Sequence, residues 1–263
     1  MRRRINLRVL LILVCLCFLS FWYVSPGLSK LWSPRTQELL GDIAQGSFPP
    51  QINGLQFPQL LTLSIQTLAM SILGIAGAGI AGMVLSFPAA HNFLLPGGLL
   101  NPNPKALTIA SVQGWTILVL TRIVLLFCRA IPAPIWAIVA LFVLFPGILP
   151  GAIALGLNNL GILGRLMTET NENLEKPPLE ALKAQGTPGT LLFLYGILPI
   201  NLPRFLAYIL YRWEVCIRET VMVGLVGAGG LGLLLTEQLS SFDYSSVVVT
   251  SNPRFLTNLR NHD

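Results

Sequence analysis

Residues 179–199, LEALKAQGTPGTLLFLYGILP, decide how the rest of the chain is read. They form a polar, charged island in a chain that is otherwise mostly compatible with lipid. The stretch opens on Glu180-Ala181-Leu182, carries Gly186, and closes on Leu198-Pro199 where an apolar helix begins. Glu180, Ala181, Leu182 and Ala184 suit a helix start, and Gly186 permits a sharp turn and close approach to a partner backbone. Pro199 fixes the angle at which the next helix sets out. A short, rigid helix–turn–helix with a small-residue face can transmit force; the competing reading is an ordinary solvated loop.

The composition supports a membrane setting for this island. Of 263 residues, 53% are hydrophobic and only 11% charged, whereas soluble domains carry roughly 25% charged residues. Mean hydropathy is +0.69. The net charge of +6 would suit nucleic acid if its lysines and arginines were clustered. They instead flank apolar runs, where the positive-inside rule puts them, so the charge reads as topology and no nucleic-acid partner is expected. Cys15, Cys17, Cys128 and Cys216, with the two histidines, have no metal-binding spacing, and no disulfide framework is expected. Ser, His and Asp form no recognisable triad; neither a catalytic nor a metal site is expected.

Taken in order, Arg2, Arg3, Arg4 and Arg8 precede an apolar run at 9–24 that ends in Phe21-Trp22-Tyr23. That aromatic cluster, with no small-residue cleavage site, reads as an uncleaved first span with a cytoplasmic N-terminus rather than a signal peptide. Residues 25–59 read as an extracytoplasmic connection. A second span covers 60–87, where Gly74, Ala78 and Gly82 recur every fourth residue and predict close helix packing. Residues 88–105 read as a loop. The apolar block 106–149 is too long for one span of ~20 residues. Parity between a cytoplasmic N-terminus and a cytoplasmic 165–190 loop assigns spans to about 122–145 and 149–168. Residues 106–121 then become an interfacial or cytoplasmic lead-in, with Arg122 and Arg129 near the inner face. A fifth span covers 191–226, and 227–244 reads as an outer loop. A sixth begins at Val247 and stops in the polar segment SNPRFLTNLRNHD.

Charges in the fifth span are unusual: Arg204, Arg212, Glu214, Arg218 and Glu219. Glu214 and Arg218 are four apart, in the favourable acid-before-base order. Intramembrane charges are costly and rarely face lipid, so they mark either a solute pathway or a structural ion pair that locks the helix. Arg204, Arg212 and Arg218 could serve an anionic solute, since a guanidinium fork matches the oxygens of an oxyanion. Gly227, Gly229, Gly230 and Gly232 fit G-x-G-x-x-G, but no βαβ unit surrounds them and no acidic residue follows about 20 positions on. They read as tight-turn glycines where a helix leaves the membrane. No Walker A sequence occurs, so any ATP must be used by a separate subunit.

The 179–199 stretch resembles the cytoplasmic "EAA" loop of bacterial ABC-importer permeases. The segment LPINLPRFLAYILYRWEVCIRETVMVGLVGAGGLG (198–232), with CRAIPAPIWAIVALFV (128–143) and NNLGILGRLMTE (158–169), resembles the phosphonate branch of those permeases over roughly 121–250. Departures fall at Ala133, Cys216 and Glu219, where that family usually has an acidic residue, Asn and Ser; these bear on the solute more than on the fold. The resemblance implies an all-α polytopic permease fold of the bacterial inner membrane, with five full spans and a truncated sixth. It implies an N-terminal span and connection (1–59), a permease core (60–250) with its coupling loop at about 169–190, and a divergent polar tail (251–263). Glu180, Ala181, Leu182, Gly186, Leu198 and Pro199 are then the ATPase-coupling residues, and Arg204, Arg212, Glu214, Arg218 and Glu219 the pathway candidates. Implied partners are an ABC ATPase, an extracytoplasmic solute-binding protein, a second copy of the chain and membrane lipid; no cofactor of its own is implied. The expected solute is phosphonate, phosphate or phosphite. The alternatives are a permease for another small solute, or a membrane enzyme or assembly protein of similar topology. Because the resemblance fades near Thr250, the tail reads as the product of a frameshift or early stop, the alternative being a lineage with a shortened end.

Overall fold

The computed structural model describes residues 7–46, 57–95, 98 and 109–241, and no strand occurs among them. The chain divides into two compact units, one of Met1–Gly54 with Ser241–Asp263 and one of Leu55–Ser240. In the first, helix α1 (Leu7–Leu28) carries the apolar run and is followed by a 3-10 turn (Ser29–Trp32) and helix α2 (Pro34–Gly46). The stretch expected as a plain connection is thus largely helical up to Gly46. The expected start of a sixth span at Val247 and the tail 251–263 lie outside the described residues.

The second unit holds α3 (Phe57–Ala89), the short α4 (His91–Leu94), α5 (Ile109–Ala130), α6 (Ala133–Leu144) and α7 (Ile148–Glu172). Then come α8 (Lys176–Ala184), the turn α9 (Gly189–Leu191), a π-helical stretch (Leu192–Ile197), α10 (Leu198–Val223), a second π-helical stretch (Gly224–Ala228) and α11 (Gly230–Ser240). Among the described residues, three segments are long and apolar enough to cross a membrane: Pro58–Ala89, Val112–Ala130 and Gly189–Ala228. Val9–Val24 and Ala133–Leu144 are apolar but shorter. Helix α7 is 25 residues long, and its Asn158, Asn159 and Asn171 are buried against neighbouring helices.

Small residues explain why α7 sits at the centre. A Cβ on Gly74 of α3 would come within 3.0 Å of Leu155 Cβ and 3.1 Å of Ala152 O. One on Gly161 would collide with Arg129 N and lie 2.6 Å from Leu125 O. In lipid, where no hydrophobic gain drives helices together, such close backbone approach supplies the packing. The buried clusters lie along this helix: Met70, Ala137, Leu155 and Cys216 in one, Ile75, Leu163, Met167 and Phe205 in another.

Three expectations are corrected. The span drawn at 122–145 is not one helix: α5 already runs from Ile109, and the chain breaks at Ile131-Pro132 before α6. Pro132 and Pro134 remove two backbone donors and restrict the residues before them, which ends one helix and starts the next. Arg122 does lie beside Ala89 and Glu172, at the α8 end of the unit, but Arg129 lies beside Gly161, well along α7. Residues 230–240, expected within a loop, form α11; the glycines confine the turn to 227–230, and LLLTEQL beyond them is a good helix sequence.

Candidate functional site

Helix α8 stands on an apolar seat. Pro177 and Pro178 occupy its first turn, where missing N–H groups cost nothing. Gly186 ends it at φ +81°, and its N–H donates to Lys183 O over 3.0 Å; only glycine adopts that backbone readily. Leu179 is fully buried and Leu182 partly so, against Ala90, Phe93, Leu174, Leu192 and Ile197. Gly196 lets the next helix close on them, since a Cβ there would stand 3.0 Å from Leu179 Cδ2. Phe87 meets the Phe193 ring edge-on, centroids 4.7 Å apart. The opposite face of α8, with Glu180, Ala181 and Ala184, is exposed, as is Gly186. Leu198 is half-buried and Pro199 exposed in the first turn of α10.

A polar knot sits beside this seat. Asn171 Nδ2 donates to Ser86 Oγ over 3.0 Å, Asn201 Nδ2 donates to Asn171 Oδ1 over 2.6 Å, and Asn92 Nδ2 donates to Asn171 O over 2.7 Å. Next to it, Glu172 accepts from the Arg122 guanidinium and lies 2.8 Å from His91 Nδ1, while Arg122 Nε donates to Ala89 O over 2.9 Å. Burial alone would raise the Glu172 carboxyl, but hydrogen bonds from His91 and the charge of Arg122 outweigh it and hold it below the ordinary carboxylate value. The ends of α3, α7 and α10 are therefore joined, with the middle of α5, beside the seat of α8. Sequence reading did not single out Asn171, Glu172, Asn201 or Arg122 as site residues. The available signal for Asn171, Glu172 and Asn201 was their position near the edges of the polar island, and for Arg122 a charge inside an apolar block.

The fifth-span charges separate into two groups. Arg212, with its side chain 12% exposed, is 3.2 Å from Glu219 Oε1 and donates from Nε to Asn159 Oδ1 over 2.9 Å. Asn159 Nδ2 completes the cluster, donating to Leu155 O over 2.9 Å and to Glu219 Oε2 over 3.4 Å. Sequence reading also missed Asn159 as a member of this cluster. Glu214 and Arg218 do pair, at 2.5 Å, but on the exposed face of α10, with both side chains 69% exposed. Arg204 is exposed too and has no ion pair among the described residues.

At the far end of α10, Gly227, Gly229 and Gly230 all have positive φ (105°, 88° and 70°). Gly232 packs on Gly224, whose Cα lies 2.7 Å from where a Cβ would be. Leu231 N–H donates to Thr67 Oγ1 of α3 over 2.9 Å, so the turn is anchored. No group of three His, Cys, Asp or Glu suited to a metal occurs among the described residues.

Comparison with known proteins bears on the whole arrangement. Residues 103–254 match the family described as binding-protein-dependent transport system inner membrane component. The chain is 32% identical over 208 residues to a phosphite transport system permease protein of Stutzerimonas stutzeri, covering 79% of this chain and 68% of that one. It is 31% identical over 202 residues to a phosphate-import permease protein of Mycolicibacterium smegmatis, covering 77% of this chain and 34% of that one. Its fold is similar to a chain of the MetNI methionine ABC transporter in an inward-facing form, with TM-score 0.57, 19% identity, and coverage of 78% and 92%. At that identity the likeness shows the fold alone: an all-α ABC-transporter permease fold.

Proposed function

The chain belongs to the family of binding-protein-dependent transport inner membrane components, and from that premise we propose that it is the permease subunit of an ABC importer for a phosphorus oxyanion. The observation that carries the coupling role is α8: Leu179 anchors it from beneath while Glu180, Ala181 and Ala184 stay exposed. A partner ATPase seats on that exposed face and supplies all the ATP chemistry. Movement of α8 passes through the Leu179 seat and the Asn171–Asn201 hydrogen bond to α7 and α10 together. The protein is a multi-pass component of the bacterial inner membrane, with its N-terminus and α8 on the cytoplasmic side. A solute-binding protein delivers the oxyanion from outside. A second copy of the chain completes the pathway and covers the exposed Glu214–Arg218 face, which hydrocarbon would tolerate poorly.

The names of the relatives, together with arginine's match to phosphoryl oxygens, support phosphite, phosphate or phosphonate as the solute. The test is uptake by cells lacking their own phosphorus importers but carrying this chain with its ATPase and binding protein. Uptake of one phosphorus oxyanion, competed by its analogues, is expected. Uptake competed only by unrelated solutes contradicts the substrate reading, and failure to copurify with any ATPase contradicts the transport reading.

A further inference from the structure

Between α5 and α7 lies a cavity of about 270 Å³ whose lining includes Arg122, Arg129, Arg165, Thr168 and Glu169. None of these residues belongs to the coupling helix or to the fifth-span charges. Their charges do not cancel. Arg165 Nε is bonded to Glu169 over 2.7 Å, and Arg122 is bonded to Glu172. Arg129 has no ion pair among the described residues, so one positive charge is in surplus.

Helix direction brings the arginines together. The two helices run antiparallel here, with Arg122 beside Glu172 and Arg129 beside Gly161. Side chains lean toward the N-terminus of their own helix. Arg129 therefore leans toward the α8 end of the unit, and Arg165 lines the same cavity from α7. Gly161 makes this possible: its lack of a side chain lets the Arg129 backbone lie directly on α7. Arg129 is the second-last residue of α5 and is exposed. A guanidinium without an ion pair at the end of an apolar helix attracts a counter-charge.

We infer that this groove is a binding site for a tetrahedral phosphorus oxyanion, clasped by the guanidinium of Arg129 and the Nη groups of Arg165. Planar guanidinium forks pair bidentately with phosphoryl oxygens, and the cavity has room for such a group with several waters. Basic pockets between membrane helices are also where anionic lipid headgroups lodge. Two sources share this chemistry: the phosphodiester of an anionic lipid, and a free phosphorus oxyanion. The inference rests on the groove and not on the transport reading.

The test uses the full chain in phosphate-free detergent solution, as wild type, Arg129→Gln, Arg165→Gln and Arg129→Lys. One probe is inorganic phosphate, followed by titration calorimetry. The other is phosphatidylglycerol, followed by native mass spectrometry from mixed micelles with phosphatidylcholine. Wild type is expected to bind at least one probe. Each Gln variant should lose about tenfold or more in affinity, from loss of a charge-assisted hydrogen-bonded pair, and Arg129→Lys should recover part of it. Binding of phosphate identifies a free oxyanion as occupant, and selective retention of phosphatidylglycerol alone identifies a lipid. If Arg129→Gln does not fold, Arg165→Gln carries the same expectation. Wild type that binds neither probe, or Gln variants that bind as wild type does, overturns the proposal. Lost uptake with groove binding intact would count against the transport reading only.

Discussion

Asn201 Nδ2 donates to Asn171 Oδ1 across 2.6 Å, with both side chains fully buried. The two residues bracket α8: one is near the end of α7, the other near the start of α10. A single hydrogen bond thus closes the loop that presents α8, and Asn171 extends the link to Ser86 of α3. Buried amides left without partners cost about 1–3 kcal/mol. Asn201→Ala should therefore lower stability by about 1–3 kcal/mol, and Asn171→Ala by more, since it removes two side-chain hydrogen bonds, with Asn201 and with Ser86. Thermal unfolding in detergent measures both.

The seat of α8 should be more sensitive than its exposed face. Leu179→Ala removes a fully buried side chain and should cost about 2–5 kcal/mol. Glu180→Ala, on the exposed face, should change stability by no more than about 0.5 kcal/mol. Comparing the melting of the two variants checks the orientation of the helix.

The Arg212–Glu219 pair invites a double-mutant cycle. Removing Arg212 alone leaves Glu219 and Asn159 without their charged partner. Either single substitution to Gln should destabilise by about 3 kcal/mol, and the double by clearly less than the sum of the singles. Glu214→Gln, on the exposed pair, should leave the melting of the isolated chain unchanged.

Acid should loosen the knot at Glu172. Its carboxyl ionises more readily in the folded chain than when unfolded, for the reasons of contact with His91 and Arg122. Its stabilising contribution is then fully present above the ordinary carboxylate value and is lost as pH falls through the lower folded value. Glu172→Gln should flatten the fall of melting temperature across that acidic window. An unchanged pH profile would contradict this assignment.

Much of the local structure of the 179–199 stretch was legible because polar residues in an apolar chain have few other roles. Glu180 to Gly186 announce a short helix and its stop, and the Glu214–Arg218 pair follows from i,i+4 spacing. Exposure was not legible: the pair that spacing found lies on the surface, while the more buried Arg212–Glu219 pair spans seven residues and depends on Asn159 from another helix. Asn171 meets Ser86 across 85 positions and Asn201 across 30, distances over which no local period carries information. The α5–α6 break and α11 were misdrawn because apolar content marks helices without saying where prolines and glycines divide them.

The central claim is that the exposed face of α8 is where the ATPase seats. It is tested most directly by how much ATPase copurifies with the chain carrying Ala181→Asp, an exposed position. An unchanged melting temperature and loss of most of the ATPase are expected. Full ATPase content with normal uptake would contradict the claim.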